Sequence, residues 1–260
     1  MASTALPKLP LWATVGATYR GVWANKREYF TIVRFWLLIS AAILFAYNWL
    51  SWEQTSALLC LATRMAGPPN VAQQFFFSLP PSIFLALCVA SIAVAWHRFI
   101  LRREPVPTRP YLRLDKLVFT YFGMALALRL SLVVPFAATT LVSDSPRFTG
   151  LVFFVLLIVT LIACIRLTPV LPAVAIEKRE VTLRHVWHRT YGNWWRLFLG
   201  TLLCTLPAGL LYFILRPACH DKLFDIAVYT LGELAGILIT IPLTLTFLSL
   251  AYRHFFERDA

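Results

Sequence analysis

The segment LVFTYFGMALALRLSLVVPFAATTL, Leu117–Leu141, carries a single charge, Arg129, at its centre. A hydrocarbon core about 30 Å thick is crossed by about 20 apolar residues in helical form. Lipid offers no water to bond backbone N–H and C=O groups, so a run this long reads as a membrane-spanning helix. Five further runs share the property, over about residues 31–50, 81–101, 148–167, 195–215 and 224–252. The 148–167 run continues toward Ile176 only past Pro169 and Pro172, which remove backbone donors and kink or end a helix. Runs this continuous exclude the alternating strands of a membrane barrel. The expected fold class is all-α, a polytopic bundle of six transmembrane spans forming one domain over residues 1–260.

Composition agrees. The chain is 59% hydrophobic and 14% charged, with a mean hydropathy of +0.71. A soluble domain is about 45–50% apolar and about 25% charged. The net charge of +12 would suit a nucleic-acid partner if it were gathered on a soluble domain. Instead the basic residues flank the apolar runs. Eighteen Lys and Arg fall in the first, third, fifth and seventh non-membrane segments, against four in the alternate ones. This asymmetry places the N- and C-termini in the cytoplasm and points the basic face at anionic lipid headgroups.

Two further stretches read as amphipathic helices lying at the cytoplasmic headgroup level, residues 11–29 and 182–194. In the first, Trp12, Val15, Tyr19, Val22, Trp23 and Phe30 share a face, opposite Thr14, Gly21, Asn25 and Glu28. In the second, Leu183, Val186, Trp187 and Trp194 oppose His185, His188 and Arg189. Each precedes a helical hairpin. Ala95–Phe99 (AWHRF) and Ala251–Phe255 (AYRHF) close the second and sixth spans, a faint internal repeat.

Intramembrane charge is the strongest functional signal, because a charge in hydrocarbon costs roughly 3 to more than 10 kcal/mol. Counted from their span ends, Arg129 and Glu233 both fall near the midplane. They are candidates for an ion pair that fixes helix register or for an anion, headgroup or proton site. Arg166, nearer the cytoplasmic end, either snorkels or extends a basic pocket. Trp96, His97, Arg98, His185, His188, Arg189, Trp194, Trp195 and Arg196 are expected at the lipid headgroups. The histidines lack the carboxylate or cysteine company of a metal motif, so neither metal nor cofactor is expected. Cys60 and Cys219 fall in loops on the outer side and are a possible disulfide. No nucleophile elbow, zinc-protease, P-loop or dinucleotide motif is present in the sequence.

Leu171–Glu177 (LPAVAIE), a short amphipathic segment, and then Tyr191–Phe198 (YGNWWRLF) form a recognisable sequence pattern. It resembles a broad, poorly characterised group of bacterial six-helix integral membrane proteins. That group includes the membrane domain fused to some glycerophosphodiester phosphodiesterases. Trp96–Phe99 followed by a basic, proline-containing loop is similar to alphaproteobacterial members. The resemblance implies an inner-membrane location and a link to lipids or the envelope. It transfers no catalytic residue, since the phosphodiesterase catalytic domain is absent. The expected function is therefore non-enzymatic binding of lipids or partner proteins in envelope maintenance. The alternative is a small transporter or channel with Arg129 and Glu233 along its path.

Overall fold

A computed structural model describes residues 8–51, 71–106, 113–139, 146–214 and 222–257. Cys60 and Cys219 lie outside these residues. Ten α-helices run in chain order among those described: α1 Leu11–Ala24, α2 Lys26–Leu50, α3 Val71–Arg102, α4 Lys116–Leu130, α5 Val134–Thr139, α6 Pro146–Leu167, α7 Val170–Ala175, α8 Leu183–Arg189, α9 Trp194–Ile214 and α10 Lys222–Phe256. No strand occurs among the described residues. Among the described residues six stretches are long and apolar enough to cross a membrane: Lys26–Leu50, Leu79–Arg102, Lys116–Thr139, Phe148–Ala175, Trp194–Leu211 and Lys222–Phe256. The chain folds as an all-α bundle of the multi-pass type. The ends of the helices rich in Lys and Arg are called the basic end below.

Proline explains the breaks. Pro135 has no N–H to offer the carbonyl of Ser131, four residues back. That carbonyl accepts from Val134 instead, and Ser131–Val133 tightens into a 3-10 turn between α4 and α5. Pro169 likewise divides α6 from α7. Asp115 caps α4, its side chain accepting from the Val118 N–H at 3.1 Å. Thr182 caps α8 in the same way, accepting from the His185 N–H.

The 35-residue α10 is the hub, packing against α1, α2, α3, α7 and α9. Its closest approach is to α9. A Cβ added at Gly200 would lie 2.0 Å from the ring of Phe247, so only glycine lets the fully buried Phe247 seat there. A second core joins α2, α3, α4 and α7 around Trp96, Tyr29, Ile32 and Val33. Trp96 stacks edge-on to Tyr29 at 5.2 Å between ring centres.

Helix α1 turns a different face inward from the one its pattern suggests. It buries Leu11, Thr14, Val15 and Thr18 against the bundle, while Trp12 and Trp23 stay exposed. Thr14 and Thr18 donate their hydroxyls to the carbonyls of Pro10 and Thr14, each at 2.9 Å. With the hydroxyl satisfied inside the helix, a threonine presents a methyl group to the core. The helix ends at Asn25, so residues 26–30 belong to the first span. Helix α8 is also shorter than its pattern, ending at Arg189 before a turn into α9.

Candidate functional site

The structure does not bring Arg129 and Glu233 together. Helices α4 and α10 pack on α3 rather than on each other. Glu233 accepts a hydrogen bond from Asn48 Nδ2 at 3.1 Å, and the same nitrogen donates to Thr230 Oγ1 at 3.1 Å. Asn48 is two residues from the end of α2, so Glu233 lies toward the end of the bundle opposite the basic one. At 1.5 Å per residue α10 is about 52 Å long, well over the core thickness, so a count inward from its ends does not fix depth. Arg129 is exposed on α4 and has no ion-pair or hydrogen-bond partner among the described residues. Arg166 joins neither. Only 8% exposed, it donates to the Trp187 carbonyl and lies 3.6 Å from the centre of the Trp187 ring. It pins α8 to the end of α6 by a cation–π contact and a bond to the Trp187 carbonyl near the α8 C-terminus, where positive charge is favoured.

Several expected headgroup residues are core instead. His97 is fully buried. Its Nδ1 lies 2.7 Å from Ser249 Oγ and its Nε2 3.3 Å from the Tyr121 hydroxyl. Ser249 already donates its hydroxyl to the Leu245 carbonyl at 2.8 Å, so it accepts from Nδ1–H, and Tyr121 donates to Nε2. The neighbouring Trp96 donates its indole N–H to Thr246 Oγ1 at 2.8 Å. These bonds tie α3, α4 and α10 at depth. Interface-type residues lie inside because α3 is surrounded by α2, α4, α7 and α10. Trp194, Trp195, His185 and His188 are exposed as expected. His185 meets Phe256 edge-on, and Arg196 lies over Trp195 while donating to the Leu9 carbonyl at 3.0 Å.

Arg98 organises the basic end. It donates to Glu104 at 2.7 Å and to Glu177 at 3.1 Å, and reaches the Ala175 carbonyl. The hydrogen bond from Arg98 holds the Glu104 carboxyl below the usual range. Arg102 donates to the Ile176 carbonyl, and Arg253 to the Ile100 carbonyl at 2.9 Å. The Arg98 and Arg102 contacts fasten the end of α7 to α3, and the Arg253 contact ties α10 to α3. The turn itself is a Schellman motif. Lys178 N–H bonds the Ala173 carbonyl and Glu177 N–H the Val174 carbonyl, both at 3.0 Å. Glu177 occupies the left-handed position, φ 57°, where glycine is usual and a side chain is strained.

That turn forms one wall of a cleft of about 350 Å³ between the start of α4 and α7. Leu117, Met124, Val170 and Val174 line its interior, and Lys116, Lys178 and Arg179 stand at its rim, all three exposed. The one acid in the lining, Glu177, is already engaged by Arg98. The cleft thus offers an apolar slot under a positive rim. Among the described residues no group of three or more His, Cys, Asp or Glu could hold a metal ion. Sequence reading passed over this site. Its one signal was the polar run Glu177–Glu180 immediately after an apolar segment broken by two prolines. The chain matches no known family, curated protein or solved structure in direct comparison.

Proposed function

We propose that this chain is a non-enzymatic, multi-pass protein of the bacterial inner membrane. Its basic end and both termini face the cytoplasm, and it binds an anionic phospholipid in the cleft between α4 and α7 in the service of envelope maintenance. The observation that carries this reading is the cleft's two-sided chemistry, an apolar interior beneath Lys116, Lys178 and Arg179. An acyl chain suits the interior and a phosphate suits the rim. Basic residues attract an anionic leaflet by about 1 kcal/mol each. The resemblance to six-helix bacterial membrane domains supports the location and the lipid link. The lipid reading is favoured over the transporter alternative because Arg129 and Glu233, the two residues that alternative invokes, stand apart.

Native mass spectrometry from mild detergent, with added phosphatidylglycerol or phosphatidylcholine, tests the proposal. The wild type should retain phosphatidylglycerol preferentially. Replacing Lys116, Lys178 and Arg179 by alanine should weaken retention by up to about a hundredfold, three basic residues at about 1 kcal/mol each. Equal retention of the two lipids, or no effect of the triple substitution, overturns it.

A further inference from the structure

Arg129 sits 13 residues into the Lys116–Thr139 span and 10 from its end, about 20 Å and 15 Å along the helix. Its guanidinium is exposed with no partner among the described residues, on a wall of exposed Leu130, Val133, Val134 and Phe136. The hairpin that carries it is the least covered part of the bundle. Buried residues make up 11% of the most apolar window of Lys116–Thr139 and 0% of that of Phe148–Ala175, against 44% for Leu79–Arg102.

A bare positive charge at this depth calls for a carboxylate. Among the described residues the six spans hold none at that depth. Among the described residues the acids of the six spans are Glu28, Asp225 and Glu233. Glu28 and Asp225 lie in the first turns of their helices, and Glu233 is held by Asn48 near the opposite end. A second copy would bring the same three acids at the same wrong depths. We propose that the α4 face bearing Arg129 docks a transmembrane helix of a different protein, one that carries an aspartate or glutamate at the centre of the bilayer.

The probe is a synthetic 23-residue leucine-rich helix with one central glutamate, and its all-leucine counterpart. Each is labelled and reconstituted with the intact protein in phosphatidylcholine vesicles, and association is read by energy transfer. The glutamate peptide should associate about tenfold more tightly than the leucine peptide, the scale of an intramembrane polar contact. Arg129→Leu should abolish the difference and Arg129→Lys should retain part of it. In the isolated protein Arg129→Leu should also leave the melting temperature unchanged or raise it, which separates a lost partner from a lost fold. Equal association of the two peptides overturns the proposal. So does a wild-type homodimer that Arg129→Leu dissociates, since the occupant would then be a second copy.

Discussion

Helices α3 and α6 are both apolar enough to cross a membrane, and α6 is the more apolar, yet α3 is wrapped and α6 bare. Helix α3 lies among α2, α4, α7 and α10, and Trp96, His97 and Ser91 are hydrogen-bonded to α4, α10 or the segment leading into α4. In the most apolar window of the span containing α6, no residue is buried. Lipid is as apolar as leucine, so greasiness alone does not draw helices together in a membrane. What separates the two regions is the set of specific contacts: hydrogen bonds between helices, a glycine that admits an aromatic ring, and a clasp of arginines. The first and third hairpins have these. The second hairpin, α4 to α7, has an arginine contact and the cleft at its basic end and a Ser131–Cys164 contact at 2.9 Å between its two spans.

Substitutions at matched positions should expose this difference. Trp96→Ala removes a fully buried ring and its bond to Thr246, and should cost about 3–5 kcal/mol in detergent unfolding. Phe154→Ala on α6, where the ring is 59% exposed, should stay within about 0.5 kcal/mol. Equal losses would erase the distinction. Gly200→Ala comes next. Its methyl would overlap the Phe247 ring, for a loss of about 1–3 kcal/mol. Gly123→Ala meets open space and should be neutral or gain up to about 1 kcal/mol from helix propensity.

Smaller effects belong to the clasp. Glu177→Gly relieves the left-handed strain while giving up a solvent-exposed ion pair with Arg98, so thermal melting should show a net gain of up to about 1 kcal/mol. The smallest effect is acid sensitivity. Glu104 is held below its ordinary range by Arg98, so its stabilising contribution is present above the ordinary glutamate value of about 4.3. It disappears as pH falls through the lower folded value. Burial alone would raise Asp115, but bonds from the Val118 N–H and Arg113 outweigh it and hold that carboxyl low as well. Melting temperature should therefore drop slightly below about pH 4, and Glu104→Gln should flatten part of that drop.

Much of the fold was legible because span length is a property of the linear chain. All six expected runs correspond to helices able to cross a membrane, with ends shifted by a few residues. Depth and facing were not legible. The depth of Glu233 was not legible because α10 is longer than a hydrocarbon core is thick, and the burial of His97 was not because a helix-end histidine reads alike whether it meets lipid or Ser249 and Tyr121. Thr14 was placed opposite the apolar face because pattern reading treats threonine as polar, whereas a hydroxyl bonded to its own helix buries readily. The cleft escaped because it joins Lys116 to Lys178 and Arg179 across 60 residues of sequence, and no local pattern announces that closure.

The central claim is that the basic end of this open hairpin holds an anionic lipid. The most direct test photolyses a phosphatidylglycerol analogue with a diazirine in its acyl chain, in vesicles containing the protein, and maps the labelled peptides. The account predicts labelling at Leu117–Met124 and Val170–Val174 that excess unlabelled phosphatidylglycerol removes and phosphatidylcholine does not. Labelling there that both lipids compete equally, or that neither competes, would contradict it.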